Sequence, residues 1–185
     1  KLGPNILFIT DKDLMSLKLT EPTLNELRKF SSLVEIFQDV EADPSIKTLL
    51  NAIEVGKKIN ATGVIGFGGG SSMDVAKLTS LILGSNENIE DAWGVSNAKG
   101  PRLPLVLVPT TAGTGSEVTP ISIITVGEEE KKGVSSAIIL PDIAILDPDL
   151  TIGLPAHTTA ATGIDAMVHA IEAYTSASKN NNPIS

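Results

Sequence analysis

The sequence contains no cysteine, two histidines and one tryptophan in 185 residues. Without thiols there are no disulfides and no thiolate metal centres, so a metal would have to be held by His, Asp or Glu. Lys and Arg number 14 against 22 Asp and Glu, which leaves a formal net charge of −8 with no basic cluster. No nucleic-acid surface is expected from such a chain. Apolar runs are strand-sized and broken by Pro, Gly or Asp, so neither a signal peptide nor a membrane span is expected, and there are no repeats or low-complexity tracts. The composition suits an acidic cytoplasmic enzyme with one ordinary core, or one domain and part of another.

The stretch Gly68 to Lys77, GGGSSMDVAK, is the most informative. It follows the apolar run ending at Phe67 and opens the amphipathic pattern Val75, Ala76, Leu78, Leu81, Ile82, which places the glycines between a buried strand and a helix. Glycines remove the Cβ atoms that keep a phosphate at a distance, and a helix start offers unpaired N–H groups and the positive end of its dipole. Ser71 and Ser72 add hydroxyls; the competing reading is a tight turn with Ser72 as a plain N-cap. There is no GxGxxG, and Met73-Asp74 stand where a P-loop needs Lys-Ser/Thr, so a nucleoside triphosphatase is not expected.

Along the chain, Ile6–Thr10, Leu33–Phe37, Val64–Phe67, Leu105–Val108 and Ile143–Leu146 read as buried strands. Between them lie a helical pattern through Leu14, Leu17, Leu24 and Leu27, interrupted at Pro22, and a helix capped by Ser45 that carries Ile46, Leu49, Leu50, Ile53 and Ile59. Strands alternating with helices predict a parallel α/β sheet with its ligand at the carboxyl ends of the strands, where Asp11, Asp43, the glycines and Thr110-Thr111 fall. Asn86 to Pro104 reads as loop, with Trp93 as a hydrophobic plug. Ile121–Thr125 and Ala137–Leu140 read as strands joined by a solvated, charged tip from Gly127 to Gly133. The segment PTTAGTGSE, Pro109 to Glu117, packs four hydroxyls and two glycines into its last eight residues; that suits a loop wrapping a polar ligand, and equally a solvated Ser/Thr turn.

From Leu154-Pro155 the pattern turns helical, and a domain boundary is expected near Gly153. Asp165 and His169 stand four apart, on one face of that helix, a spacing that suits a shared divalent metal but also a plain surface pair. His157 reads as a surface residue. Lys1 to Pro4 leads directly into a strand pattern and Pro183-Ile184-Ser185 follows a helix with no closing element, so a fragment is expected.

Taken in order, GGGSSMDVAK, PTTAGTGSE, ILDPDLTIGLP and TGIDAMVHAIEAYTS resemble the iron-containing (group III) alcohol dehydrogenases, and the likeness runs from Ile9-Thr10-Asp11 to Asn182-Pro183. The resemblance implies a parallel Rossmann-like nucleotide-binding α/β domain, residues 1–153, followed by the start of an all-helical metal-binding domain, residues 154–185, in the dehydroquinate synthase-like architecture. By position, Gly69, Gly70 and Ser71 would hold the cofactor pyrophosphate, and Thr110, Thr111, Thr114 and Ser116 would line the phosphates and the nicotinamide end. Lys131, beside Lys132, resembles the lysine that reaches the cofactor ribose. Asp11 resembles the acid on the adenosine ribose, and its charge would favour NAD over NADP. Asp43 stands where many members have Asn. Asp74 is the candidate catalytic group, with a plain helix-dipole acid as its other reading.

Asp165 and His169 match two of four metal ligands, for Fe2+ or alternatively Zn2+, and the other two, histidines, are expected beyond Ser185. The implied reaction is direct hydride transfer between a primary or secondary alcohol and NAD, in a cytoplasmic homodimer or larger homo-oligomer with no nucleic-acid or membrane partner. Two other readings stay open: a sugar-phosphate cyclising synthase or glycerol dehydrogenase of the same architecture, and a catalytically incompetent NAD-binding fragment.

Overall fold

The computed structural model describes residues 2–128 and 130–176. Its centre is a five-stranded, wholly parallel sheet in the order β2-β1-β3-β5-β8, made of β1 (Asn5–Ile9), β2 (Leu33–Phe37), β3 (Gly63–Gly68), β5 (Leu105–Pro109) and β8 (Ile143–Ala144). Apart from Asn5 at the head of β1, the three inner strands are apolar because both of their faces are covered. One face presents Leu7, Ile9, Val64, Leu105 and Leu107 to the helices α3 (Ile46–Lys58) and α4 (Gly70–Ser85). The other presents Ile6, Phe8, Ile65, Phe67, Val106 and Val108 to Leu14 and Leu24, carried on α1 (Lys12–Ser16) and α2 (Glu21–Phe30). Each large side chain so buried contributes about 1.5–3 kcal/mol.

Helix α4 differs from the amphipathic expectation: from Ser72 to Ile82 every residue but Asp74 is buried. A second, three-stranded sheet explains this by covering the side of α4 turned away from the main sheet. It contains β4 (Gly94–Val95), β6 (Ile121–Val126) and β7 (Glu130–Ser135), with β6 and β7 antiparallel. The tip between β6 and β7 is shorter than the charge run suggests, because Glu130 to Gly133 pair with Val126 to Ile123. Nor is Ala137–Leu140 a strand: Ala137–Ile139 forms a 3-10 turn started by the Ser136 hydroxyl, which accepts from the Ile138 N–H at 3.3 Å.

Three further boundaries shift for local reasons. The break in the first helical pattern falls before Pro22, which sits in the first turn of α2 where its missing N–H costs nothing. Strand β8 ends at Ala144, although the Ile145 N–H still donates to Leu107 O at 2.9 Å. A short helix, α5 (Ile89–Ala92), interrupts the expected loop, and Trp93 behind it packs its half-buried ring against the core.

After β8 the chain makes one turn, α6 (Asp149–Ile152), and then the long helix α7 (Ala156–Thr175), which carries the exposed His157. No residue of α7 is fully buried. Beyond Ser176, the predicted likeness through Asn182-Pro183 lies outside the described residues.

Close packing makes one substitution informative. A Cβ on Gly84 would lie 2.5 Å from Arg102 C and 2.6 Å from Leu103 N, backbone that is held by a Leu103 N–H to Ser80 O bond of 2.9 Å. Gly84→Ala is expected to destabilise the protein by about 1–3 kcal/mol, through overpacking that outweighs any gain in helix propensity. Urea unfolding checks this; an unchanged midpoint would contradict it.

Candidate active site

The order of strands reverses at β1. The chain leaves β1 for β2 on one side and returns with β3 on the other, so a crevice opens beyond the carboxyl ends of β1 and β3. Thr10-Asp11 follow β1, and Gly68-Gly69-Gly70 lead from the last residue of β3 into α4. Gly68 has φ +151°, and a Cβ there would stand 2.7 Å from Ser72 Oγ, so this turn requires glycine. Gly69 is the N-cap of α4 and no side chain caps the helix, which leaves its first N–H groups for a ligand. Ser72 is not the cap; it is buried inside the first turn.

PTTAGTGSE folds across this turn. The Thr110 N–H donates to Gly68 O at 3.0 Å, and Cβ atoms on Gly69 and Gly70 would come within 3.6 Å of Thr111 and 3.0 Å of Thr114. The Thr111 and Thr10 hydroxyls are buried with no hydrogen-bond partner among the described residues. Buried hydroxyls are seldom left unpaired, so the Thr111 hydroxyl, 3.6 Å from where a Gly69 Cβ would stand, fits a polar ligand in the glycine cradle that would engage it.

An open cleft of about 820 Å³ runs from the glycine turn towards α7. Its walls bring together Gly70, Ser71 and Asp74 from α4, Thr114 and Ser116 from the hydroxyl loop, Lys131 from β7, and Asp165 and His169 from α7. Gly69, Thr110 and Thr111 stand behind the wall in the turn just described. Asp11 lies outside the cleft, beyond β1, where its carboxylate accepts from the Leu14 N–H at 2.9 Å and burial pushes its pKa up. Of the two adjacent lysines, Lys131 faces the cleft and pairs with Asp43 at 2.5 Å, whereas Lys132 lies 3.9 Å from Glu90. Asp43 adopts φ +51° and is further held through its carbonyl by the Thr125 hydroxyl at 3.2 Å.

Asp165 Oδ1 and His169 Nε2 are 3.6 Å apart, both partly exposed and both in the cleft wall. An oxygen and an imidazole nitrogen so placed fit part of a divalent-metal site. No third His, Asp or Glu joins them among the described residues.

Asp74 has neither of its carboxylate oxygens free. One accepts from the Ser116 hydroxyl at 2.7 Å and the other from the Ile123 N–H at 2.9 Å. Beneath them lies Lys77, fully buried, whose ammonium donates to Ser116 Oγ at 2.8 Å and Ile121 O at 2.7 Å and stands 3.8 Å from Asp74. Burial pulls the Lys77 pKa down to about 8, against the attraction of Asp74 and Glu117. Burial also raises Asp74, against Lys77, Ser116 and Ile123. Sequence reasoning missed Lys77, yet the signal was present: a lysine three residues after an aspartate, inside an otherwise apolar run.

A parallel α/β sheet whose switch point carries an uncapped, glycine-opened helix start is a Rossmann-like nucleotide-binding fold. The chain belongs to the iron-containing alcohol dehydrogenase family, whose model matches residues 1–148. It is 39% identical over 175 residues to the long-chain-alcohol dehydrogenase 1 of Geobacillus thermodenitrificans, covering 93% of this chain and 44% of that protein. Among solved structures, a 1,3-propanediol oxidoreductase superposes with a TM-score of 0.90 at 36% identity, over 97% of this chain and 47% of the other. The sulfoacetaldehyde reductase of Bifidobacterium kashiwanohense in complex with NAD+ gives 0.83 at 31% identity, over 94% and 46%. The chain thus spans a little under half the length of each of these relatives.

Proposed function

We propose that the protein to which this chain belongs transfers a hydride between a primary or secondary alcohol and NAD with the help of a divalent metal, Fe2+ or alternatively Zn2+. The observation that carries the reading is the single cleft, which holds the glycine cradle at one end and the Asp165–His169 pair at the other. When bound, NAD accepts the hydride and the metal acts as a Lewis acid on the alcohol oxygen, the latter worth several kcal/mol.

This chain's residues do the holding. Gly69, Gly70 and Ser71 with the start of α4 receive the pyrophosphate, Thr110, Thr111 and Thr114 close over it with hydroxyl donors, and Ser116, whose own proton goes to Asp74, lines the nicotinamide end. Lys131 reaches the ribose from β7, trading Asp43 for the cofactor. Asp165 and His169 supply two metal ligands, and histidines elsewhere in the protein complete the set. Asp74, with both oxygens engaged, fixes β6 and Ser116 against α4 instead of moving a proton.

We assign residues 1–153 to the nucleotide-binding domain and the helix beginning near 154 to a helical metal-binding domain. On α7 Ile164, Met167, Val168 and Ile171 are exposed, an apolar stripe that further helices would cover. The reading extends to a cytoplasmic homo-oligomer, which sedimentation of the intact protein tests.

In the intact protein, metal-dependent production of NADH from simple primary and secondary alcohols tests the reading; NAD binding without turnover in the metal-loaded protein would overturn it. Asp11 should set the cofactor choice, because like charges about 4 Å apart repel by roughly 1–4 kcal/mol between bulk-water and protein-surface dielectric. Asp11→Ser keeps an oxygen to cap α1 but removes the charge. The ratio of kcat/KM for NADP over NAD is expected to rise about tenfold or more, and an unchanged ratio would remove Asp11 from the cofactor site.

A further inference from the structure

We infer that the backbone contact between Gly113 and Thr162 couples the cofactor loop to the metal-binding helix, making Gly113 a positioning residue; this rests on the proposed function. A Cβ on Gly113 would lie 2.5 Å from Thr162 O and 2.8 Å from Thr162 Cβ. Gly113 is not among the residues of positive φ, so the position does not need glycine for its conformation. It needs glycine because two backbones meet there.

Both sides of this contact lead to a binding group. On the loop side the neighbouring Thr114 packs on Gly70, with a Cβ on that glycine 3.0 Å from Thr114 Cγ2. On the helix side Thr162 is anchored by its own hydroxyl, which donates to Thr158 O at 3.0 Å, and Asp165 follows three residues later on the same face. The half-buried residues of α7 include Thr158, Thr162, Asp165 and Ala173, whereas Ile164, Met167, Val168 and Ile171 are exposed. The helix therefore rests on the α/β domain through its small and polar face, with little apolar contact to fix its height. Ordering the loop by the phosphates then orders the helix that carries Asp165 and His169, and a metal on that helix orders the loop. Each ligand lowers the ordering cost of the other, which is positive coupling without direct contact between them.

ADP-ribose is the suitable probe, since it fills the phosphate end and lacks the nicotinamide that would approach the metal. Calorimetric titration of the intact protein should show ADP-ribose binding at least about threefold tighter with Zn2+ bound than without it. Thr162→Gly, which loosens the contact, should bring that ratio close to one with ADP-ribose affinity of the zinc-free protein changed less than about twofold, and Gly113→Ala, which forces the backbones apart, should likewise bring the ratio close to one. No coupling in the unsubstituted protein, or coupling unchanged in the variants, overturns the inference. If Gly113→Ala does not fold, Thr162→Gly decides alone. Failure of ADP-ribose or Zn2+ to bind at all would overturn the functional reading as well, whereas binding of both without coupling overturns this inference only.

Discussion

Replacing Lys77 by Met is expected to cost about 3 kcal/mol of stability, the lower end for breaking a buried ion pair because Ser116 and Ile123 would still bond to Asp74. The side chain is wholly buried, and its ammonium is what ties α4 to Ser116 and to Ile121 O at the start of β6. Methionine fills similar volume but leaves Asp74 without its countercharge. Adding Asp74→Leu should recover part of the loss, since an apolar pair avoids the stranded charge. The pH dependence has a definite sign. Lys77 titrates near 8 in the folded protein and near its ordinary 10.5 when unfolded, so between these values the unfolded chain binds more protons. Its contribution to stability therefore rises with pH across that window, and the gap between the unsubstituted protein and Lys77→Met should widen from pH 8 upward. Urea unfolding at several pH values measures both effects. A loss under about 1 kcal/mol, the level of an exposed pair, would contradict the structure.

The second large effect is on chemistry. His169→Ala in the intact protein removes one of the two metal donors proposed in this chain, and its partial exposure makes the structural cost small. Metal content after dialysis should fall well below stoichiometric, and kcat/KM for alcohol oxidation should drop by about 10²–10⁴-fold, the equivalent of several kcal/mol of Lewis-acid stabilisation. NAD affinity at the phosphate end should persist, because Gly69, Gly70 and Thr111 are untouched. Full metal content in the variant would assign His169 to the surface pair that its spacing alone also permits.

How much of this was legible in the sequence depends on how local the cause is. The inner strands were, because a strand buried on both faces must be an unbroken apolar run, as in Leu105–Val108. The glycine turn was, because its φ and its close approach to Ser72 need a residue without Cβ. The Glu130–Gly133 strand was not, because its pairing with β6 is decided by register across a hairpin and its charges point to solvent and cleft. The all-round burial of α4 was hidden for the same reason, since it depends on a second sheet contributed by residues far downstream. The meeting of Asp165 and His169 with the glycine cradle was visible only as a resemblance, as nothing in a spacing of four says which helix face meets which cleft. Lys131 was separated from Lys132 only by the alternation of β7, which sends one side chain to the cleft and the other to Glu90.

We propose that the glycine cradle and the Asp165–His169 pair serve one hydride transfer in one cleft. Mass spectrometry of the NADH formed by the intact, metal-loaded protein from an alcohol deuterated at the carbinol carbon tests it most directly. One deuterium is expected at the nicotinamide C4, delivered without exchange with water. Turnover that yields unlabelled NADH, or no NADH from any simple alcohol, would contradict it.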